Sequence, residues 1–253
     1  MRAMTTTRIL FAGEQVTAIG HEIKGFDSFE VSASKEDGWA LFGALRKGGH
    51  EVTWMRTGQV PVEFPETLDA LQAYDVIILS DVGANSLLFH PEMVNRSIPH
   101  PNRLKLLRTY VQQGGGLLMV GGWMSFAGIG GKACYHATAL EEALPVTCLP
   151  YDDRQEEPEG IVPAVRDPAH PVLAGVPADW PFFLGYNRVT PKAGSQVLVT
   201  VDPDPLLCVW DCGRGRAAAF ASDCAPHWGP PGFLEWAGYG PLWNNLVRWL
   251  RRA

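Results

Sequence analysis

Acid–base chemistry needs a group that titrates near neutrality, held beside others that tune it. His227 sits in Ser222-Asp223-Cys224-Ala225-Pro226-His227-Trp228-Gly229, where Pro226 and Pro230 stiffen the chain on either side. Asp223 is the acid placed to hold the imidazole. Glu14 directly follows the first apolar run and suits a general base, or a second carboxylate opposite Asp223. Asp81 and Asn85 follow another apolar run and offer polar contacts to a ligand, with Trp123 and Trp228 as apolar walls. Each residue has a plainer role available: a loop-bonded histidine, a solvated acid, or a cap on a strand or helix.

A second group of candidates lies on Gly121-Gly122-Trp123-Met124-Ser125. The backbone N–H groups of Gly122 and Trp123 could act as electrophilic donors at a tight turn. Ser125, with His227 as base and Asp223 or Glu14 as orienter, would compose a serine hydrolase-like trio; a turn-capping serine is the competing reading. Cys134-Tyr135-His136 could hold an activated thiol, against the commoner buried, inert cysteine. His21, Lys24, Asp27 and Ser28 fall in a polar, glycine-interrupted segment over 14–34, expected to be a long loop serving as a lid or a partner contact. The histidines and acids show no close metal-ligand pairing, so no metal is expected. No Gly-x-Gly-x-x-Gly follows the first strand, and no cofactor is expected.

These residues need a scaffold that gathers strand ends. Leu117 to Val120 is a continuous apolar run entering the glycine turn, as in a strand covered on both faces. Runs at 8–13, 51–55 and 74–80 read as further strands. Helical spacing appears over 35–47, 65–71, 102–113 and 239–252, and Thr138 with Glu141 three residues later marks a short capped helix over 138–143. Strand and helix alternate through residue 120, which predicts a parallel sheet with helices on both faces. The Pro- and Gly-rich portion over 146–215 is expected to be β-rich, with strands around 146–148, 160–165 and 196–201 and a hairpin of 206–210 with 216–221. In such sheets the carboxyl ends of the strands line the ligand crevice. One domain over 1–253 is the expected organisation.

The chain has 253 residues, 46% apolar, with a formal net charge of −6, which favours neither nucleic acid nor an anionic membrane. No apolar run reaches the roughly 20 residues of a membrane helix. Residues 1–8 are too short and polar for a secretory leader, so a cytoplasmic location is expected. The five cysteines are odd in number and scattered, which fits a reducing compartment. Nine tryptophans, six of them in the last third, suggest an aromatic pocket wall or a homo-oligomer surface, with core packing as the alternative.

The order of elements, the segment Gly114 to Gly122, and the last strand leading to Pro226-His227-Trp228-Gly229 resemble the class I glutamine amidotransferase-like fold. The nearest branch is the putative glutamine amidotransferase (GATase1-like) group, with the trehalose-utilisation (ThuA-like) proteins as a related branch. The resemblance implies a flavodoxin-like, doubly wound, mostly parallel sheet. It also implies a nucleophile elbow, Gly-x-Cys-x-Gly, after the central strand. Here Trp123 stands where that cysteine belongs and Ser125 where the last glycine belongs. The group's His-x-Glu pair would fall near His227, but no acid follows two residues on. Glutamine hydrolysis by the thiol route is therefore not expected, since fold does not carry function with it. Two readings stay open: a hydrolase- or isomerase-like enzyme acting on a small polar, sugar-like metabolite, and a non-catalytic ligand-binding or assembly protein.

Overall fold

The computed structural model describes residues 6–251; residues 1–5, within the segment read as no secretory leader, and residue 252, expected to end the last helix, lie outside them. Fourteen strands are present among these residues: β1 Arg8–Gly13, β2 Gln15–Lys24, β3 Asp27–Glu36, β4 Glu51–Met55, β5 Val76–Ser80, β6 Gly116–Val120, β7 Val146–Cys148, β8 Arg154–Ile161, β9 Ala164–Val165, β10 Phe183–Asn187, β11 Val189–Pro191, β12 Gln196–Val201, β13 Asp204–Cys212 and β14 Gly215–Phe220. Eight of them form one sheet in the order β4-β1-β5-β6-β14-β13-β12-β9. The first five run parallel. From β13 onward each neighbour is antiparallel. This is the doubly wound α/β fold that the alternation of elements predicts.

The sheet is covered on both faces, and the strands show it by alternation. Ile9, Phe11, Val76, Ile78, Leu118 and Val120 enter one core, with Leu41 and Leu45 of the helix Trp39–Lys47 and Leu242, Trp243 and Leu246 of Tyr239–Leu250. Their sequence neighbours Leu10, Ala12, Ile77, Leu79, Leu117 and Met119 enter the other, against Leu104, Leu107 and Val111 of Arg103–Gln112. Successive side chains point to opposite faces, so two helix layers bury a strand that is apolar at every position. The tryptophans of the last third mostly join this packing. Trp228 and Trp243 are fully buried, and Trp180, Trp236, Phe233, Phe220 and Tyr239 form a chain of ring contacts. They are core residues, so the tryptophan count does not carry the expectation of an oligomer.

Two expectations are corrected here. Residues over 14–34 are no loop: β2 and β3 pair antiparallel from Gln15↔Glu36 to Lys24↔Asp27 around a turn at Gly25 and Phe26. Alternation is hidden in this hairpin because polar residues occur on both of its faces. The helix expected over 35–47 begins only at Trp39, because β3 continues through Glu36. The late hairpin joins β13 and β14 through Gly213, and Thr138 caps Ala139–Ala143, as the sequence predicts.

The sheet order reverses at β1: the chain goes from β1 outward to β4, then returns past β1 to β5. A crevice opens at the carboxyl ends of strands at such a switch point. Glu14 ends β1 and Asp81 ends β5. Gly13 fixes how closely these ends approach, since a Cβ there would lie 1.7 Å from the Ser80 carbonyl oxygen.

Candidate functional site

Glu14, Val16, Lys35, Asp37, Asp81, Trp123, Asp223, Pro226 and His227 line a cleft of about 260 Å³ at the carboxyl edge of the sheet. Four strand ends build it: Glu14 follows β1, Asp81 follows β5, Trp123 follows β6 and Asp223 follows β14. Sequence reasoning named all four, and the parallel sheet brings them together. Glu14 (φ 59°), Asp81 (φ 48°) and His227 (φ 139°) all hold positive φ, a conformation that costs a non-glycine residue of the order of 1–3 kcal/mol. Strain concentrated at the strand tips marks the place where the fold positions side chains rather than relaxes them.

The floor of the cleft is a set of carboxyls. Glu14 is 5% exposed, and its Oε1 accepts a 2.6 Å hydrogen bond from the Ser80 hydroxyl. Burial pushes its pKa from 4.5 to about 8, the charge of Asp81 adds to the rise, and the Ser80 bond opposes it. Asp223 is as buried as Glu14 and is held well above the carboxylate range, first by burial and then by Glu14 and Asp81. Asp81 is raised by burial, against the Met124 N–H, which donates to its Oδ1 at 2.6 Å, and against His227. Carboxyls crowded this way titrate as a set, and Glu14 retains its proton near neutrality. His227 is exposed at the mouth of the cleft, but Trp123 and Trp228 against its ring shield it in part from water, and this desolvation is the main cause lowering its pKa, with Glu156 and Asp81 opposing. The imidazole is thus neutral at pH 7, and its ring meets Trp123 edge-on at 4.6 Å and stacks on Trp228 at 5.1 Å.

Several predicted roles are not assembled. Asp223 does not hold His227: its Oδ1 accepts from the Ala225 N–H at 2.8 Å, and the acids acting on His227 are Glu156 and Asp81. Ser125 is 2% exposed, donates to the Val120 carbonyl at 2.6 Å and accepts from the Asp81 N–H at 3.1 Å. Its hydroxyl clamps two strand ends together and is not a nucleophile, so the trio of Ser125, His227 and an acid does not form. The Gly122 N–H donates to Asn187 Oδ1 at 2.9 Å and is unavailable to an oxyanion. Asn85 is exposed on the helix Ala84–Leu88 and faces a different hollow, beside Phe89 and Val94. Trp228 is fully buried behind His227, its indole N–H donating to Glu156 Oε2 at 2.9 Å, so it supports the wall without facing the cleft. Trp123 does face it, 42% exposed. Cys134 and His136 are bonded to separate carbonyls, those of Gly131 and Cys148.

Other residues escaped sequence reasoning. Asn187 donates to the Gly122 carbonyl at 3.1 Å and to Asp153 at 2.8 Å, while Asp153 accepts from the N–H groups of Ala127 and Gly128. Both lie in the Pro- and Gly-rich portion, where no local pattern announces a partner more than twenty residues away. Ser80 and Cys224 flank Glu14, with Ser80 Oγ 3.5 Å from Cys224 Sγ. A polar residue closing an apolar strand was the available signal for Ser80.

Among the described residues, two clusters could hold a cation. Glu14, Asp223 and Cys224 each offer a ligand atom, all within 4.8 Å of one another, a donor set suited to a borderline-soft divalent ion once its protons are displaced. Glu66, His90 and His100, all half-buried, form the other. There the His90 Nδ1 already accepts from the Glu92 N–H, which opposes the Nδ1-protonated tautomer that a metal on Nε2 requires.

A doubly wound sheet with a glycine turn at the end of a central strand agrees with the class I glutamine amidotransferase-like fold. The chain belongs to the putative glutamine amidotransferase family (GATase1-like), whose model matches residues 8–252. It is similar to a solved cytoplasmic protein of Salmonella typhimurium at 42% identity, covering 97% of this chain and 99% of that one with a TM-score of 0.93. A second cytoplasmic protein, from Salmonella typhimurium LT2, is 40% identical over 97% of this chain and 100% of its own, with a TM-score of 0.92. A ThuA-like protein of Parabacteroides merdae shares the fold at 13% identity, with 98% and 90% coverage and a TM-score of 0.59. Among curated proteins, none matches the chain.

Proposed function

We propose that the cleft binds a small polar metabolite, sugar-like in its hydroxyl groups, and handles protons on it through Glu14 and Asp81. One observation carries this reading: a carboxyl held to a pKa of about 8 sits beneath a cleft of about 260 Å³ beside two further acids. A protonated acid donates where a carboxylate beside it accepts, which suits neighbouring hydroxyls and suits general acid–base chemistry at neutral pH. Trp123 supplies an apolar face for the ring of such a ligand, and neutral His227 supplies both a donor and an acceptor. Thiol-based glutaminase chemistry has no support in this arrangement. Trp123 occupies the elbow, and burial beside Glu14 and Asp223 pushes the Cys224 thiol well up.

A second reading, a ligand-binding protein without turnover, draws on the occupied polar groups of the turn. The Gly122 N–H and the Ser125 hydroxyl, two of the turn's candidate donors to an oxyanion, are both committed to internal bonds. A thermal-shift screen against sugars, amides and nucleosides, followed by turnover measurements on any binder, separates the two. Glu14→Gln that keeps binding and loses turnover supports the acid–base reading; binding with no turnover in the parent protein supports the second. A screen in which Trp123→Ala and Asp81→Asn leave every binder unaffected would remove the cleft from consideration. A cytoplasmic location forms part of the proposal, in keeping with the two Salmonella relatives.

A further inference from the structure

The hairpin of β2 and β3 leaves the body at Glu14 and returns at Asp37, and the Asp37 N–H donates to the Glu14 carbonyl at 3.0 Å. Between these points the arm is exposed along nearly its whole length. Among the described residues, the hydrogen bonds and ion pairs joining it to the body fall at its root. The Gln15 N–H donates to Thr57, the Gly58 N–H to Gln15, and Arg56 to Glu36. Its strands pair only with each other, so both outer edges present unpaired N–H and C=O groups.

Such an arm is a poor solitary structure. An isolated two-stranded hairpin is at best marginally stable in water, and long exposed edges are normally blunted or covered. Neither strand contains a proline. The register puts Val16, Ala18, Ala33, Val31 and Phe29 on one face. It puts Ile19 and Ile23 on the other, opposite Ser32 and Ser28, whose small side chains leave the isoleucines standing proud. Ile19 is 66% exposed, Ile23 75%, and Phe26 at the tip is fully exposed. The body's own cores are closed without any of these residues.

We propose that the arm is an oligomerisation element that packs against a second copy of this chain. The area fits. Ten residues per strand at about 3.3 Å each make a ribbon about 33 Å long, and two faces with their edges expose of the order of 700–800 Å², the share one partner contributes to a standard interface. A two-fold axis doubles this, because each copy lends an arm and receives one. The charges fit as well. Glu22, Asp27, Glu30 and Glu36 outnumber Lys24 and Lys35, so the arm repels phosphate surfaces while offering both signs to its own kind. Val16 and Lys35 at the root line the cleft, so docking the arm fixes one cleft wall.

Light scattering on the full chain across a concentration series tests this. The expected mass is at least twice the 27.7 kDa of one chain. Ile19→Lys with Phe29→Lys, which strikes both faces, should lower it at least twofold to the single-chain value, with the far-ultraviolet circular dichroism of the body retained. A chain in which two glycines replace residues 15–36 bridges ends that are already hydrogen-bonded, and it decides the matter should the doubly substituted protein not fold. A parent protein that stays at 27.7 kDa at every concentration overturns the proposal, as does an arm-less chain that keeps the parent's mass. A monomeric parent that floats with anionic vesicles would assign the arm to a membrane surface instead, and equally overturns it.

Discussion

Glu14→Gln should make this protein more stable in neutral and alkaline buffer. The native state holds a proton on Glu14 up to a pH of about 8, whereas the ordinary value is 4.5. Between those limits the folded protein binds a proton that the unfolded chain has released. Stability contributed by the protonated group is therefore complete below 4.5 and lost as pH rises towards 8. The slope is about 1.36 kcal/mol per pH unit, so from 4.5 to neutrality the loss amounts to about 3 kcal/mol. Glutamine is neutral at every pH and keeps an oxygen to accept from the Ser80 hydroxyl. Its amide N–H₂ replaces the acid O–H beside Asp223 and Cys224. The charges of Asp81 and Asp37 add to the burial that keeps Glu14 protonated, and a neutral glutamine meets none of that opposition. Urea unfolding at pH 5, 6, 7 and 8 reads the effect. The parent and the variant should nearly coincide at pH 5 and diverge by about 3 kcal/mol near neutrality, with the variant the more stable. Parallel curves across that range would refute the assignment of a neutral Glu14, and so would a variant destabilised at pH 8.

Three further outcomes test how the site is held together. Asn187→Ala strips the Gly122 N–H of its acceptor and Asp153 of a donor in a buried region, and should cost about 3 kcal/mol or more in urea unfolding. Gly122→Ala places a Cβ 2.8 Å from Asp81 Oδ1 on a backbone with φ of 148°, and should cost about 1–3 kcal/mol and displace Asp81, seen as loss of any cleft ligand. Iodoacetamide at pH 8 should modify exposed Cys134 and leave buried Cys148, Cys208 and Cys224 intact, because burial pushes their thiols up, that of Cys208 to about 12. Peptide mass spectrometry checks this, and Cys224 labelled as fast as Cys134 would refute the closed packing around Glu14.

The amino-acid order alone determined the sheet and the places where its tips fall. Continuous apolar runs such as 76–79 and 117–120 can be satisfied only between two helix layers, and a parallel sheet must deliver Glu14, Asp81, Trp123 and Asp223 to one edge. Only the tertiary structure decided what those residues do there. Ser125 and the Gly122 N–H pass from candidate chemistry to internal bonding because their partners, Val120, Asp81 and Asn187, are chosen by packing rather than by spacing. Asn85 leaves the site because the chain from Asp81 to Gly83 is not helical and the helix Ala84–Leu88 starts beyond it, so Asn85 lines another hollow beside Phe89 and Val94. The segment over 14–34 has no net pattern since a hairpin exposed on both sides imposes no inside and outside on its sequence. The protonation of Glu14 has the same origin: a carboxyl's charge state depends on the acids and the burial that surround it, and residues 14, 81 and 223 become neighbours only after the chain has folded.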